Sequence, residues 1–70
     1  MRYAIVIEKA TGNLSAYVPD LPGCVATGKT RSAVVRRIRE AIHMHVHGLK
    51  EDGLPVPKPT SRAEYVEAEP

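Results

Sequence analysis

An α+β fold with the element order strand, strand, strand, helix, strand follows from three features of this 70-residue chain. The N-terminal part is rich in β-branched and aromatic residues, and its second apolar segment, Leu14–Val18, alternates with the period of a strand. The middle carries apolar residues at spacings of three and four, the period of a helix. Between them lies Pro19–Thr30, which holds two prolines and two glycines and marks a turn of definite shape. A chain this short makes one domain, residues 1–70, around a thin core.

The first strand is expected over Arg2–Glu8. Tyr3, Ile5 and Ile7 share one face and Ala4 and Val6 the other, so both faces are apolar and the strand reads as central in its sheet. Lys9–Asn13 follows, with the Gly12-Asn13 pair supplying positive φ for a hairpin. Leu14–Val18 returns as the second strand, with Leu14, Ala16 and Val18 on its apolar face. Pro19 and Pro22 cannot donate to a ladder and end that strand, and Gly23 lets the backbone swing into a third strand over Cys24–Thr27. Thr30 is a good N-cap for a helix from Arg31 to Glu51, about 30 Å long at 1.5 Å per residue. Val34, Ile38, Ala41, Ile42, His45 and Leu49 form its apolar stripe, opposite Arg36, Arg39, Glu40, His43, His47 and Lys50. Asp52-Gly53 ends it. Leu54–Pro59 has proline at alternate positions and makes a stiff extended connector. Tyr65–Ala68 alternates well enough for a short fourth strand. A right-handed crossover sets that strand parallel to the first, predicting a three-stranded antiparallel meander, one long helix on one face and sheet order 3-2-1-4.

Composition narrows the class of protein. There is no Trp and no Phe, so burial rests on aliphatics and on Tyr3, Tyr17 and Tyr65. A lone Cys24 rules out an internal disulfide and suits a reducing compartment. A core this small calls for outside help, and oligomerisation, to a dimer or tetramer, is its expected source. The longest apolar run, Tyr3–Ile7, is too short for a membrane span or signal core, so the protein is expected in the cytoplasm and away from membranes. The net charge of +2 is too small to indicate nucleic-acid binding by itself.

Candidate chemistry is sparse. His43 and His47 stand one helical turn apart and could offer two imidazoles to a metal, but a third ligand would have to come from Glu40, Glu51 or another chain and no HExxH pattern accompanies them, so a solvated helix face is the favoured reading. His45 falls within the apolar stripe, as a core or interface residue. Arg36, Arg37 and Arg39, with Arg31 and Lys29 nearby, make the start of the helix basic. That patch could meet phosphate or an acidic partner, or serve as a solubilising face with an Arg36–Glu40 pair. The acids do not converge: Glu8, Asp20, Glu40, Glu51 and Asp52 fall on separate elements, whereas a metal-dependent nuclease needs carboxylates aimed at one point. No cofactor and no catalytic residue is indicated.

Ile5-Val6-Ile7-Glu8, then Pro19-Asp20-Leu21-Pro22-Gly23-Cys24-Val25 with Gly28 and Thr30, then Glu40-Ala41-Ile42, and finally Gly48-Leu49 through Glu51-Asp52-Gly53 into Pro55, Pro57 and Pro59 form a specific combination. Over nearly its whole length the chain resembles the HicB-like antitoxin family. The resemblance implies a partial, catalytically silent ribonuclease-H-like fold and a non-enzymatic antitoxin role. Family members typically bind and block HicA, a small toxin that resembles a double-stranded-RNA-binding domain and cuts messenger RNA. Many carry a further C-terminal DNA-binding domain. This chain ends at Pro70 without room for one, so direct DNA binding is not expected. A partner would meet Asp20, Leu21 and Pro22 of the proline loop and Arg36 and Arg39 of the helix. The alternatives are a nucleic-acid-binding module built on the basic helix start, and a stand-alone HicB-like protein with no toxin.

Overall fold

The computed structural model describes residues 1–69. It contains β1 (Val6–Ala10), β2 (Asn13–Tyr17), β3 (Val25–Gly28) and α1 (Arg31–Glu51). The strands form one antiparallel sheet in the order β1-β2-β3. Register partners share a face. Ile7, Ala16 and Ala26 pair across the sheet on the side where Ala16 is buried, and Val6, Tyr17 and Val25 pair across the other.

Leu14, Ala16 and Val18 form the inner face as their alternation predicts, and the apolar stripe of α1 packs over β3 and β2. The core is Ala16, Val18, Leu21, Cys24, Val34 and Ile38, with Tyr3, Ile5, Ile7, Leu14, Ala26, Val35, Ala41, Ile42 and Val46 packed around it. Gly28 lies against the first turn of α1: a Cβ there would stand 2.8 Å from the Val34 backbone nitrogen. The close approach of β3 and helix therefore depends on the missing side chain.

Both ends of α1 are capped by local chemistry. Thr30 has extended backbone, and its Oγ1 accepts a hydrogen bond from the Ala33 amide at 3.1 Å. At the other end Gly53, at φ 68°, donates to Lys50 while Leu54 donates to Leu49, the paired bonds of a Schellman motif. At 1.5 Å per residue the helix outruns strands of four or five residues, and its second half overhangs the sheet. The radius of gyration, 13.7 Å, exceeds the ~11 Å of a compact chain of this length. No helix among the described residues is long and apolar enough to cross a membrane.

Four expectations need correction. Residues 54–69 contain no regular secondary structure, so the fourth strand at Tyr65–Ala68 is not formed and the sheet order stops at 3-2-1. In extended backbone Glu64, Val66 and Ala68 fall on one side and Tyr65, Glu67 and Glu69 on the other, which leaves no consistently apolar face to bury. Tyr65 and Val66 are 99% and 88% exposed. It follows that the first strand is an edge and not central, and its ladder runs over Val6–Ala10, later than the expected Arg2–Glu8. The hairpin takes its positive φ from Gly12 alone, at 79°, with Asn13 already in β2.

Replacing Leu21 by Ala should cost about 2–5 kcal/mol, a large part of the stability available to so short a chain, read as a lower midpoint in urea denaturation. Gly28→Ala, which adds only a methyl, should cost about 1–3 kcal/mol in the same measurement because β3 and the start of α1 must move apart.

Candidate functional site

The proline loop consists of two successive β-turns. The Leu21 amide donates to the Val18 carbonyl at 3.1 Å, and the Cys24 amide donates to the Leu21 carbonyl at 3.1 Å. Each proline stands second in its turn, where its fixed φ is already correct, and Gly23 at φ 83° takes the position that a type II turn reserves for glycine. The Val18 amide closes the loop onto the Cys24 carbonyl at 3.2 Å. This geometry turns Leu21 inward, 0% exposed, and leaves Pro19, Pro22 and Gly23 outside. Of the three loop residues expected to meet a partner, only Pro22 is fully at the surface. Leu21 is a core anchor.

Asp20 has a different task. Its carboxylate accepts four hydrogen bonds from the proline-rich tail: from the amides of Thr60 and Ser61, both at 2.9 Å, and from their hydroxyls at 3.2 and 2.8 Å. These donors hold its pKa below the usual 3.8, the Ser61 amide and hydroxyl contributing most. The Tyr3 hydroxyl donates to the Pro57 carbonyl nearby. Together the two contacts fasten the stiff Leu54–Pro59 segment across one end of the sheet. Tyr3, Thr60 and Ser61 were not identifiable as a site in the sequence, because they lie about 40 or more residues from their partners and belong to no motif.

The helix residues fall elsewhere. Arg37 is engaged, its Nη1 donating to the Thr27 carbonyl at 3.0 Å. Arg36 and Arg39 are exposed, and the expected Arg36–Glu40 pair does not form: the ion pairs among the described residues are His47–Glu51 and Arg62–Glu64. Arg39 lines a groove with Val35, Ile38 and Ile42 of α1 and with Tyr3 and Ile5 of the segment that precedes β1. The end of the proline loop borders the other flank of the helix, where Gly23, Cys24 and Val25 meet Ala41, Met44 and His45. The proline loop and Arg39 thus flank α1 on two sides, without converging on one cleft.

His43 and His47 both border the groove that contains Met1, Tyr3 and Ile42. His47 Nε2 lies 3.0 Å from Glu51 Oε1, and no group of three or more potential metal ligands exists among the described residues. Cys24 is buried, and burial pushes its thiol pKa up, which keeps it protonated and unreactive at neutral pH. The surface therefore offers apolar grooves, exposed cations and a presented proline loop. Those are the materials of protein contact.

Because folding lowers the Asp20 pKa, the clasp on the tail is complete above the ordinary carboxylate range and is lost only as pH falls through the lower native value. Amide exchange at Thr60 and Ser61 should be slow at pH 5 and above in the native chain. In Asp20→Ala it should accelerate at least about ten-fold at neutral pH, with exchange at Ile38 unchanged.

Comparison with known proteins agrees with this picture. A family model described as the HicB-like antitoxin of bacterial toxin-antitoxin systems matches residues 3–70. An uncharacterised 14.9 kDa protein of Haemophilus phage HP1 is 38% identical over 66 residues, covering 94% of this chain but 50% of the phage protein, so the chain spans half the length of that relative. A UPF0150 protein of Thermoplasma acidophilum is 36% identical over 59 residues, covering 83% of this chain and 86% of its own length. Among solved structures, a chain of the HicA3 and HicB3 toxin-antitoxin complex superposes with a TM-score of 0.74 at 32% identity, covering 86% of this chain and 70% of that one. The three antiparallel strands and the single long helix are thus those of a known family, and the chain belongs to the HicB-like antitoxins.

Proposed function

We propose that this protein is the antitoxin of a toxin-antitoxin pair, binding a HicA-type messenger-RNA-cleaving toxin and neutralising it by protein contact. The observation that carries this reading is the family match over residues 3–70 together with the structural likeness to a chain from a HicA3 and HicB3 complex. The partial ribonuclease-H-like scaffold acts without catalysis of its own, in the cytoplasm, as a homo-oligomer, and contacts neither DNA nor membrane directly.

Inhibition by contact requires only that the toxin's RNA-binding surface be covered. Pro22 on its double turn is a rigid contact that loses little entropy on binding. Arg36 and Arg39, which form no ion pair among the described residues, pair in this reading with carboxylates of the toxin. Leu21 and Asp20 act behind this surface, one anchoring the loop from inside and the other tying it to the tail.

Co-expression with the toxin encoded beside it should yield a co-purifying complex and restore growth. Absence of both would reject the antitoxin reading. The double variant Arg36→Glu with Arg39→Glu should weaken the complex at least about ten-fold, roughly 1.4 kcal/mol, while leaving the helical circular dichroism intact. Tight, steeply salt-dependent binding to RNA or DNA by the chain alone would favour the nucleic-acid module instead.

A further inference from the structure

Beyond the Asp20 clasp the tail is held at its base and free along its length. Four hydrogen bonds from Thr60 and Ser61 to Asp20, and one from Tyr3 to Pro57, fix the point at which residue 62 leaves the body of the protein. Residues 62–69 are then exposed throughout, Tyr65 and Val66 almost completely. Their backbone amides and carbonyls bond to no other described part of the chain. The nearest sheet edge does not take them: Ala63, Glu64 and Tyr65 border a groove beside Ile5, Val6 and Ile7 without joining the ladder. Charge is segregated at the same place. Residues 62–69 hold Arg62 against Glu64, Glu67 and Glu69, a net −2, and the formal +2 of the whole chain leaves +4 for residues 1–61. Even so, no carboxylate of the segment meets a cation of the body among the described residues. Glu64 pairs at 3.6 Å with Arg62 of the segment itself, an exposed and therefore weak contact.

We propose that residues 62–69 bind the toxin by adding as a strand to an open sheet edge of it, beside the cationic surface that holds RNA. This rests on the antitoxin reading above and names a segment that makes the contact. Three features of the segment point to such a partner. Its unpaired backbone supplies the main-chain hydrogen bonds of strand addition. Its exposed Tyr65 and Val66 supply the apolar contact. Its carboxylates select the sign of the receiving surface.

The order of residues refines the match. In an added strand Glu64, Val66 and Ala68 face one way and Tyr65, Glu67 and Glu69 the other, so each side carries one large apolar group and at least one carboxylate. Neither side suits the purely apolar core of its own fold, in which no polar or charged residue is buried. A receiving edge instead needs an apolar contact with a cation near it on both faces. A surface that grips RNA is rich in cations, because phosphates have to be neutralised there. An enzyme that cleaves messenger RNA therefore offers this charge next to its active surface, and carboxylates laid on it keep RNA away. The clasp contributes as well: a segment fixed at its base has less freedom to lose when it binds.

The test titrates the toxin encoded beside this protein with the full chain and with a chain ending at Ser61, which keeps the clasp. Because residues 62–69 are exposed throughout, the shortened chain should retain the helical circular dichroism and the urea midpoint of the full chain. Its affinity for the toxin should fall at least about ten-fold and depend less steeply on salt. In the full chain, Glu64→Gln with Glu67→Gln and Glu69→Gln should flatten the salt dependence in the same way. Neighbouring amides of a strand point to opposite edges. Of Glu67→Pro and Ala68→Pro, one should therefore weaken binding at least about ten-fold relative to Glu67→Gln, and the other should not. Equal affinity of the full and shortened chains, or equal effects of the two prolines, would overturn the proposal and leave the antitoxin reading standing. A shortened chain that loses affinity together with a change of its own oligomeric size would overturn it in favour of tails exchanged between copies. A full chain that does not bind the toxin would reject the antitoxin reading and this inference with it.

Discussion

The burial of Leu21 is the constraint on which the rest of this structure depends. Two consecutive turns share this residue, with a proline second in each and Gly23 supplying the one positive φ that the second turn needs. Turning Leu21 inward ends β2, reverses the chain and delivers Cys24 to the core before β3 begins. Sequence, turn geometry and core packing therefore agree at one point, the condition for a small chain to choose a single fold. The same rotation that sends Leu21 in sends Asp20 out, and so the loop acquires its second role as the fastening point of the tail.

Helix placement follows from where that plug sits. With Leu21, Cys24 and Gly28 drawing α1 over β3 and β2, the first strand receives little cover from the helix. The helix is also longer than the sheet is deep, which leaves Met44 exposed and Val46 and Leu49 half-buried on the overhang. A compact domain would close these surfaces. This one keeps grooves along both flanks of α1, an open sheet edge, and an outer sheet face with Val25 65% exposed beside Tyr17. Such surfaces are the materials of contact with other chains. Among the ionisable groups, Asp20 is occupied by the tail, Cys24 is held protonated by burial, and His47 faces Glu51.

By itself the sequence determined the elements that depend on near neighbours. The Arg31–Glu51 helix with its Thr30 cap and Gly53 stop, the three-stranded meander, the role of both prolines and the apolar faces of β2 and α1 are all written in spacings of two to four residues. Family membership was legible for the same reason, since the proline loop and proline tail are local patterns. The tertiary structure decided what depends on residues far apart. It left Tyr65–Ala68 unpaired despite its alternation, which made the apolar first strand an edge. It placed Leu21 inside, although loop position alone suggested a presented residue, and it gave the Asp20 carboxylate to Thr60 and Ser61. It also set Arg39 and the proline loop on opposite flanks of the helix. Each of these outcomes weighs burial or a hydrogen bond between distant segments against solvent. Local pattern states what a segment is able to bury, and only the assembled fold settles whether anything comes to cover it.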